Sequence, residues 1–477
     1  MVLEHLHLLH FKNHEGSDLT FGAEVNCLLG DNGSGKTNVL DAVHYLCHTK
    51  SYFNPIDGQN IAHGEQHMLI QGTFVRHDQQ EKVSCAVERG VKKVFRRNEK
   101  AYDRLADHVG RFPAVMIAPA DAVLIQEGSE TRRRWIDSVI SQFDREYLSQ
   151  LMAYNKALNQ RNTLLRYFAE NRRWDAEALE PWDAQLVPLA VSIRAKRAEF
   201  VERFVPGFLE TYREITNGAE TVSVRYLTEV ATTEEEVHQQ WNEAQNDDRR
   251  LRRTTRGIHK DELAFDLGEH PIKKFGSQGQ QKSFLIALRL SQLAYIEQAT
   301  GVKPILLLDD IFDKIDDKRV QALMRWVTAG EFGQVFITDT DLGRIPGMFR
   351  ETGPMCAFMK SNREPCARRM MWQQIHYLRS MERNDAKPLK AAIQQFIRAH
   401  RMQGKLDEVD VVKAWGVVFG VFVEKQTRSL RLQLDGKLWV KLDSGPLKEE
   451  LMMAKGKMVD LLNEELGRPL IKEIVIQ

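Results

Sequence analysis

The sequence has few cysteines and no long apolar segment. Its five cysteines among 477 residues are odd in number, scattered and never spaced as C-x-x-C: Cys27, Cys47, Cys85, Cys356 and Cys366. This pattern argues against a disulfide framework or a zinc site and favours reduced thiols. No run approaches the roughly 20 apolar residues needed to cross a bilayer, and residues 1–5 lack the basic start of an export signal. We therefore expect a cytoplasmic protein without a membrane partner.

A strong net charge is also missing, since 67 Lys+Arg stand against 66 Asp+Glu. This length, with 43% hydrophobic and 28% charged residues, predicts a folded chain of about three average domains. A local basic excess lies between Lys360 and Met402, after Gly353 and Pro354, and indicates a domain boundary. The basic stretch is either a solvated, flexible face or a linker that binds phosphates without sequence specificity.

The hydrophobic pattern predicts an α/β fold that an inserted helical lobe interrupts. Apolar runs and alternation predict strands at 5–11, 25–29, 68–75, 83–88, 114–118, 222–227, 263–267, 305–308 and 335–338. Apolar residues at three- and four-residue steps predict helices over about 131–168 and 183–208, within a helical lobe at about 120–250. Further helices are expected at about 280–297 and 318–328.

One segment fits the phosphate-loop pattern G-x-x-x-x-G-K-[ST]: Gly30-Asp31-Asn32-Gly33-Ser34-Gly35-Lys36-Thr37. It lies between a predicted strand and a helix that is expected to begin near Ser34, which is the context that distinguishes a phosphate loop from a chance match. The glycines let successive backbone N–H groups form an anion nest, and the helix dipole favours a triphosphate there. Lys36 is expected to reach the β- and γ-phosphates of ATP, and the Thr37 hydroxyl to bind Mg²⁺.

A second apolar strand, 304–308, ends in two acids, Asp309 and Asp310. A buried parallel strand delivers such carboxylates to the carboxyl edge of a sheet. Alone the pattern is common and has a purely structural interpretation. Beside a phosphate loop, it makes Asp309 the candidate outer ligand of Mg²⁺ and Asp310 the candidate group that orients or deprotonates the attacking water.

A third motif, Ser277-Gln278-Gly279-Gln280, stands just before the predicted helix at 280–297. It resembles the signature segment of ABC-type ATPases, in which a serine and a glycine bind the γ-phosphate held by the opposite protomer. The resemblance makes Ser277, Gly279 and Gln280 candidate nucleotide contacts. A serine hydroxyl at a helix N-terminus is also an ordinary cap, and that interpretation stays open.

Residues 1–358 resemble the RecF family of DNA recombination and repair ATPases. Besides the three motifs, the resemblance rests on short segments at 9–13, 132–134 and 257–262, which read LHFKN, RRR and GIHKDE. SMC relatives would carry a coiled coil of hundreds of residues, whereas this insert is short and contains Pro181, Pro188 and Pro206, which are expected to interrupt its helices. The resemblance implies an ABC-type P-loop ATPase head with an inserted helical lobe.

Several positions depart from what the resemblance implies. Lys12 stands where the family usually has arginine. Lysine offers a phosphate a single point charge, whereas arginine can make a bidentate contact. Like the resembled family, this chain has Asp310 where ABC ATPases generally have glutamate, and this side chain, one methylene shorter, predicts slow turnover. The usual switch histidine is absent after Val335-Phe336-Ile337, where Thr338-Asp339-Thr340 stand instead, and no clear Q-loop glutamine follows 114–118.

The C-terminal residues, 387–477, are predicted to form a small α/β module. Two helices, a hairpin with an Asp435-Gly436 turn, a helix that begins near Pro446 and a last strand are expected. The pattern around Trp415 and Trp439 resembles the DciA-related, KH-like small domain, a family linked to the replicative helicase and to nucleic acid. A packed domain without a nucleic-acid surface is the alternative, and both tryptophans are expected in the core.

Together these features predict three segments: an ATPase head at 1–358, a basic linker at 359–386 and a DciA-like KH-type domain at 387–477. The resemblance implies an ATP-gated homodimer that binds single-stranded or gapped DNA, or a junction of single and double strands, with weak DNA-stimulated ATPase activity. Recombination-mediator proteins and the replicative helicase are the implied partners. A nucleotide-locked scaffold without significant hydrolysis and a transporter-type ATPase subunit are the alternatives.

Overall fold

A computed structural model describes residues 1–311, 326, 331–340, 356–363, 370–378, 411, 414–415, 418–420, 423, 426–433, 436–466 and 468–476. The chain divides into two compact units, Met1–Ser380 and Met381–Gln477. Apart from Trp326, the predicted helix at 318–328 lies outside the described residues, and so does the first of the two helices expected at the start of the C-terminal module.

The described strands and helices alternate irregularly along the chain. The strands are β1 Val2–Phe11, β2 His14–Thr20, β3 Val25–Leu29, β4 His67–Arg76, β5 Gln79–Glu88, β6 Val94–Arg97, β7 Lys100–Ala101, β8 Ala114–Ile117, β9 Val222–Leu227, β10 Glu262–Leu267, β11 His270–Pro271, β12 Ile305–Leu308, β13 Val335–Asp339, β14 Cys356–Arg363, β15 Met370–Leu378, β16 Thr427–Leu432, β17 Lys437–Leu442 and β18 Glu473–Ile476. The helices are α1 Lys36–His48, α2 Val123–Gln126, α3 Ser129–Ile140, α4 Arg145–Glu170, α5 Glu180–Thr216, α6 Glu234–Leu251, α7 Ile272–Phe275, α8 Gln278–Thr300, α9 Gly445–Met453 and α10 Lys455–Glu465.

The first unit is built around a six-stranded central sheet with the order β15-β14-β3-β13-β12-β8. Strands β14, β3, β13, β12 and β8 are parallel, and only β15 is antiparallel to its neighbour. Parallel strands end at the same edge, so the residues that follow β3, β8, β12 and β13 meet there. This edge carries the phosphate loop and the two acids that the sequence singles out.

Alternate residues of the central strands enter two different cores. Leu28, Leu307 and Phe336 pack with α1 and with an antiparallel sheet of order β2-β1-β4-β5-β6-β7. Leu29, Leu308 and Ile337 pack instead against the helical lobe and α8. Both faces of the strands are therefore covered, which explains why their sequences are continuously apolar.

The prediction that prolines interrupt the helices of the lobe is wrong for α5. This helix runs through Pro188 and Pro206 for 37 residues, with Pro181 in its first turn. A proline removes one N–H from the helix and frees the carbonyl four residues earlier. Those carbonyls belong to Ala184 and Glu202, which are both exposed, so water can satisfy them. At about 1.5 Å per residue, α5 is about 55 Å long and is the longest helix among the described residues.

The second unit contains a three-stranded sheet of order β16-β17-β18, in which β17 and β18 are parallel. The predicted hairpin is present as β16 and β17. Trp415 is fully buried and its Nε1 donates to Thr427 Oγ1 at 3.1 Å, while Trp439 is half-buried.

The predicted linker at 359–386 overlaps β14 and β15, which belong to the central sheet. Its boundaries, like those of the other segments, remain a prediction. In the residues that the structure covers, no helix is long and apolar enough to span a membrane, and no group of three or more His, Cys, Asp or Glu side chains is placed to hold a metal ion. Cys27, Cys47 and Cys85 are buried and are not in disulfide bonds.

Candidate functional site

The phosphate loop joins β3 to α1 through glycines that adopt left-handed backbone angles. Gly33 has φ of 77° and Gly35 has φ of 85°, a region that residues with a Cβ rarely adopt. The helix begins at Lys36 rather than near Ser34, because Gly35 takes the N-cap position with a left-handed backbone. The loop leads directly into the start of α1, where the positive end of the helix dipole favours an anion.

The turn between β1 and β2 lies directly against this loop. His14 is 1% exposed, and its Nε2 lies 3.2 Å from the carbonyl oxygen of Gly35. Asn13 Nδ2 donates to the carbonyl of Gly33 at 3.2 Å. A Cβ on Gly35 would lie 2.7 Å from His14 Nε2, so no larger residue fits without displacing the histidine.

Lys36 is 4% exposed and folds back over the loop. Its Nζ donates to the carbonyl oxygens of Gly30 at 2.8 Å and Asp31 at 2.9 Å. An ammonium group has three protons, so one remains for a phosphate oxygen. Asp31, Asn32 and Gly33 are exposed at the tip of the loop, and Ser34 is buried beneath it.

Thr37 and Asp309 meet although 272 positions separate them in sequence. Thr37 Oγ1 donates to Asp309 Oδ1 at 2.8 Å, and Thr338 Oγ1 donates to the same oxygen at 3.0 Å. Asp309 is 4% exposed, and burial raises its pKa while the two hydroxyls oppose that rise. A buried carboxylate and a hydroxyl at this distance are hard oxygen ligands that suit Mg²⁺.

Asp310 turns away from its neighbour into a cleft of about 720 Å³. It has φ of 44°, a strained angle for a non-glycine residue, and its N–H donates to Thr338 Oγ1 at 2.9 Å. The cleft is also lined by Asn32 of the phosphate loop, Gln278 at the start of α8, and Thr340. Asp310, Asn32 and the start of α8 therefore line one cleft beside the phosphate loop.

Ser277 is the N-cap of α8, as the structural interpretation of the motif expected. Its hydroxyl accepts from the N–H of Gln280 at 3.3 Å, and its own N–H donates to Gln280 Oε1 at 2.8 Å. Ser277 and Gln278 are exposed, and Gly279 is half-buried. A capping hydroxyl still has its proton to donate, so the cap does not prevent a phosphate contact.

Lys12 is held by a buried carboxylate rather than left free for a ligand. Its Nζ lies 2.6 Å from Asp41 Oδ2 of α1, and Asp41 is fully buried. The ammonium also lies over the rings of Phe11 and Phe53, at 5.5 and 5.3 Å from their centroids. Lys12 therefore ties the β1–β2 turn to α1, next to the phosphate loop.

Three groups at the site were not found from the sequence. Gln126, the last residue of α2, lines the same cleft as Asp310, although no clear glutamine was recognised after β8. Thr338 joins Asp309 to the backbone of Asp310, and His14 supports Gly35. The position of Thr338 at the end of the predicted strand 335–338 was a usable signal, whereas Gln126 and His14 reach the site only through tertiary packing.

The comparisons with known proteins agree with this geometry. Residues 2–342 match the family described as "RecF/RecN/SMC N terminal domain", and residues 388–476 match "Dna[CI] antecedent, DciA". A Flavobacterium johnsoniae protein called DNA replication and repair protein RecF is 48% identical over 352 residues, which is 74% of this chain and 98% of that protein. A Phocaeicola vulgatus protein with the same name is 44% identical over 354 residues, 74% of this chain and 94% of the relative.

The chain belongs to the RecF family. A solved structure described as "the recombination mediator protein RecF-ATPrS in RecFOR pathway" has a TM-score of 0.68 and 25% identity, and the match covers 78% of this chain and 98% of that one. A second, described as RecF-ATP, also has a TM-score of 0.68, at 26% identity over 75% of this chain and 95% of that chain. The predicted ABC-type ATPase head is confirmed, and a C-terminal DciA domain is present. The KH-like description of that domain remains a prediction.

Proposed function

We propose that this chain is an ATP-binding protein of DNA replication and recombinational repair. The observation that carries the proposal is the hydrogen bond between Thr37 of the phosphate loop and Asp309 at the end of β12. This bond joins the phosphate loop to the acidic end of β12, which are the two parts of the candidate nucleotide site. Membership of the RecF family supports the DNA-repair role, since the relatives carry that role in their names.

The residues fit ATP and Mg²⁺. Thr37 and Asp309 would hold the metal ion, directly and through water, and Lys36 would neutralise the β- and γ-phosphates. The ion supplies charge neutralisation on the phosphate oxygens. The exposed tip formed by Asp31, Asn32 and Gly33 leaves the phosphate nest open to solvent.

The nucleotide is proposed to be shared between two copies of the chain. Ser277 and Gln278 are exposed at the start of α8, where the positive end of the helix dipole favours an anion, so they can bind a phosphate that a second copy presents. The closed homodimer would hold DNA, either single-stranded, gapped or at a junction of single and double strands. Hydrolysis would then open it.

Hydrolysis is proposed to be slow and to depend on Asp310. Thr338 fixes the backbone of Asp310, which points its carboxylate at the cleft, but aspartate is one methylene shorter than the glutamate usual in ABC ATPases. DNA would stimulate this weak activity. The alternatives are a nucleotide-locked scaffold that does not hydrolyse ATP and a transporter-type ATPase subunit.

ATPase activity measured with and without DNA, at low and high salt, separates these functions. If the closed dimer holds DNA as proposed, hydrolysis should be slow and DNA should stimulate it. High salt should abolish that stimulation. A scaffold would show nucleotide binding without turnover. A transporter-type subunit would show turnover that DNA does not change.

Dimerisation is tested by Ser277→Arg, which places a bulky side chain at the proposed contact. Sedimentation with a non-hydrolysable ATP analogue should show a dimer for the wild type and a monomer for the variant, with monomer ATP binding retained. Thr233→Arg is the matched control, because Thr233 is an exposed N-cap of α6 whose side chain also accepts from the third residue of its helix. A wild type that stays monomeric with the analogue would contradict the shared site.

The C-terminal unit is proposed to connect this activity to other proteins. Its match to the DciA family supports a contact with the replicative helicase or with nucleic acid. Recombination-mediator proteins are the proposed partners of the head, since the solved relative is described as one of the RecFOR pathway. Cytoplasmic location fits these roles.

A further inference from the structure

The side chain of Gln280 links the signature segment, Ser277 to Gln280, to the helical lobe. Its Oε1 accepts from the backbone N–H of Ser277 at 2.8 Å, which completes the cap of α8. Its Nε2 donates to Glu220 Oε1 at 3.2 Å. Glu220 is half-buried and lies 60 positions earlier in the chain, in the segment between α5 and β9. Gln280 therefore connects the candidate phosphate contact to a carboxylate that follows the longest helix of the lobe.

The end of α5 brings Glu220 to this position. Asn217 and Gly218 follow the helix with left-handed backbone angles, φ of 51° and 72°, which turn the chain back. Glu220 then lies beside α5, where the hydroxyl of Tyr212 donates to its Oε2. Tyr212 is 1% exposed, and its ring packs edge-on against Phe284 of α8, with centroids 6.2 Å apart. Tyr212 therefore packs on α8 while it holds Glu220 beside the first turn of the same helix.

The carboxylate of Glu220 determines which way the amide of Gln280 points. An ionised carboxylate only accepts hydrogen bonds, and a backbone N–H only donates them. The amide satisfies both groups when its NH₂ faces Glu220 and its oxygen faces the N–H of Ser277, as in the structure. The opposite orientation would place an oxygen against the carboxylate and an NH₂ against the N–H. Glu220 therefore makes that orientation unfavourable.

This orientation of Gln280 fixes Ser277 from two sides. The serine N–H donates to the amide oxygen, and the serine hydroxyl accepts from the backbone N–H of Gln280 at 3.3 Å. A hydroxyl that accepts one bond still has its proton to donate, and Ser277 is exposed. If the amide turned away, the serine would lose one of these two contacts. A phosphate contact made by a less well fixed donor is weaker, because binding must then also order that donor.

We propose that Glu220 is a positioning residue for the contact between Ser277 and a phosphate of the second copy, an inference that rests on the proposed function. Glu220 orients Gln280, and Gln280 fixes Ser277. The phosphate loop of the same chain lies on other elements, between β3 and α1. Loss of Glu220 should therefore weaken the ATP-dependent dimer and leave ATP binding by the monomer unchanged.

The first test compares Glu220→Ala with wild type by sedimentation with a non-hydrolysable ATP analogue over a range of protein concentrations. The dimer Kd of the variant should rise by about 10-fold or more, because a symmetric closed dimer contains the contact twice. ATP affinity, titrated where both proteins are monomeric, should be equal. Glu243→Ala is the matched control and should dimerise like wild type, since Glu243 accepts from the side-chain amide of Gln239 at 3.0 Å on the exposed face of α6.

An exchange of the two side chains tests the orientation itself, and it decides the matter even if Glu220→Ala does not fold. Gln280→Glu places two carboxylates together and should raise the dimer Kd as Glu220→Ala does. Adding Glu220→Gln restores the pair with donor and acceptor reversed. The new carboxylate can accept from the N–H of Ser277 and from the new amide, whose oxygen can accept from Tyr212. The double variant should therefore recover a dimer Kd close to that of wild type.

The possible results separate this inference from the proposed function. A Glu220→Ala protein that dimerises with the wild-type Kd would overturn the inference alone, and so would an exchanged double variant that is as weak as Gln280→Glu. A Glu220→Ala protein that loses ATP affinity in the monomer as strongly as it loses dimer affinity would show a general structural role, and would also overturn the inference. A wild type that stays monomeric with the analogue would overturn both.

Discussion

Several contacts hold the residues of the phosphate loop in place, and the phosphate-loop motif predicts only some of them. The motif predicts Lys36 and Thr37 at the start of a helix, and both are there. It does not predict that the Lys36 ammonium rests on two loop carbonyls or that His14 closes the space beside Gly35. The first contact lies within the loop, and the second comes from the β1–β2 turn, which is distant from the motif in sequence but adjacent in space.

Lys36→Ala should weaken Mg-ATP binding by about 100-fold or more, equivalent to about 2.8 kcal/mol, because the loop loses its only side-chain cation. Isothermal titration with ATP measures the effect, and circular dichroism verifies the fold. Lys50→Ala is the matched control at the other end of α1 and should bind ATP like wild type. Wild-type affinity in a folded Lys36→Ala protein would place the phosphates elsewhere.

Gly35→Ala should cost more stability than Gly64→Ala. Both glycines have a left-handed backbone, with φ of 85° and 90°, and an added Cβ in this region costs about 1 to 2 kcal/mol. At Gly64 the Cβ would meet nothing within 4 Å, whereas at Gly35 it would meet His14 at 2.7 Å. Urea unfolding of both variants measures the difference in their loss of stability. Equal losses would indicate that His14 moves aside at no cost.

At the scale of elements, several strands were predicted well, whereas β2, β6, β14 and β15 were missed. Strands β3, β9 and β12 have the predicted bounds, because a buried strand is a short apolar run with clear ends. Helix α5 runs past the prolines that were expected to break it. No separate helix was assigned to α6, although Thr233 caps it and three glutamates fill its first turn, because its apolar stripe is narrow: Val237, Trp241 and Ala244.

The parallel arrangement of the central sheet explains which site residues could be predicted from the sequence. Parallel strands deliver their following residues to one edge, so Thr37, Asp309 and Asp310 could be expected together. Helix α8 joins that edge through Arg289, which pairs with Asp121 after β8 and donates to Tyr52 after α1. This contact requires three elements to pack and has no signature in the sequence.

Arg289→Met should lower the free energy of unfolding by about 3 to 5 kcal/mol, because it leaves Asp121 as a buried charge without its partner. Arg289 is 9% exposed and Asp121 is 2% exposed. Arg203→Met is the matched control, since Arg203 is 67% exposed and pairs with Glu199 on the same helix, where such pairs contribute less than about 1 kcal/mol. Similar losses from both variants in urea unfolding would show that the buried pair does not anchor α8.

At the scale of the whole molecule, an ATPase head of the RecF family and a DciA domain stand in one chain. The sequence predicted both, since each carries its own motifs or apolar pattern. It could not predict which surface meets DNA, because a surface brings together residues from distant segments of the chain.

We expect nucleotide hydrolysis to control how long the closed dimer holds DNA. Asp310 faces the cleft where water would attack, and a carboxylate there contributes to turnover more than to ground-state binding. Asp310→Asn should therefore slow hydrolysis, keep ATP bound and prolong the closed state. Asp18→Asn, on the exposed outer strand β2, is the control that should behave like wild type.

The measurement is a chase of labelled DNA from preformed complexes of wild type, Asp310→Asn and Asp18→Asn in Mg-ATP at fixed salt, with ATP hydrolysis followed in the same samples. We predict that DNA leaves Asp310→Asn more slowly than it leaves the other two, by the same factor as hydrolysis is slowed. Equal release rates from all three, with hydrolysis slower in Asp310→Asn, would contradict the proposal that hydrolysis releases DNA and would favour the nucleotide-locked scaffold.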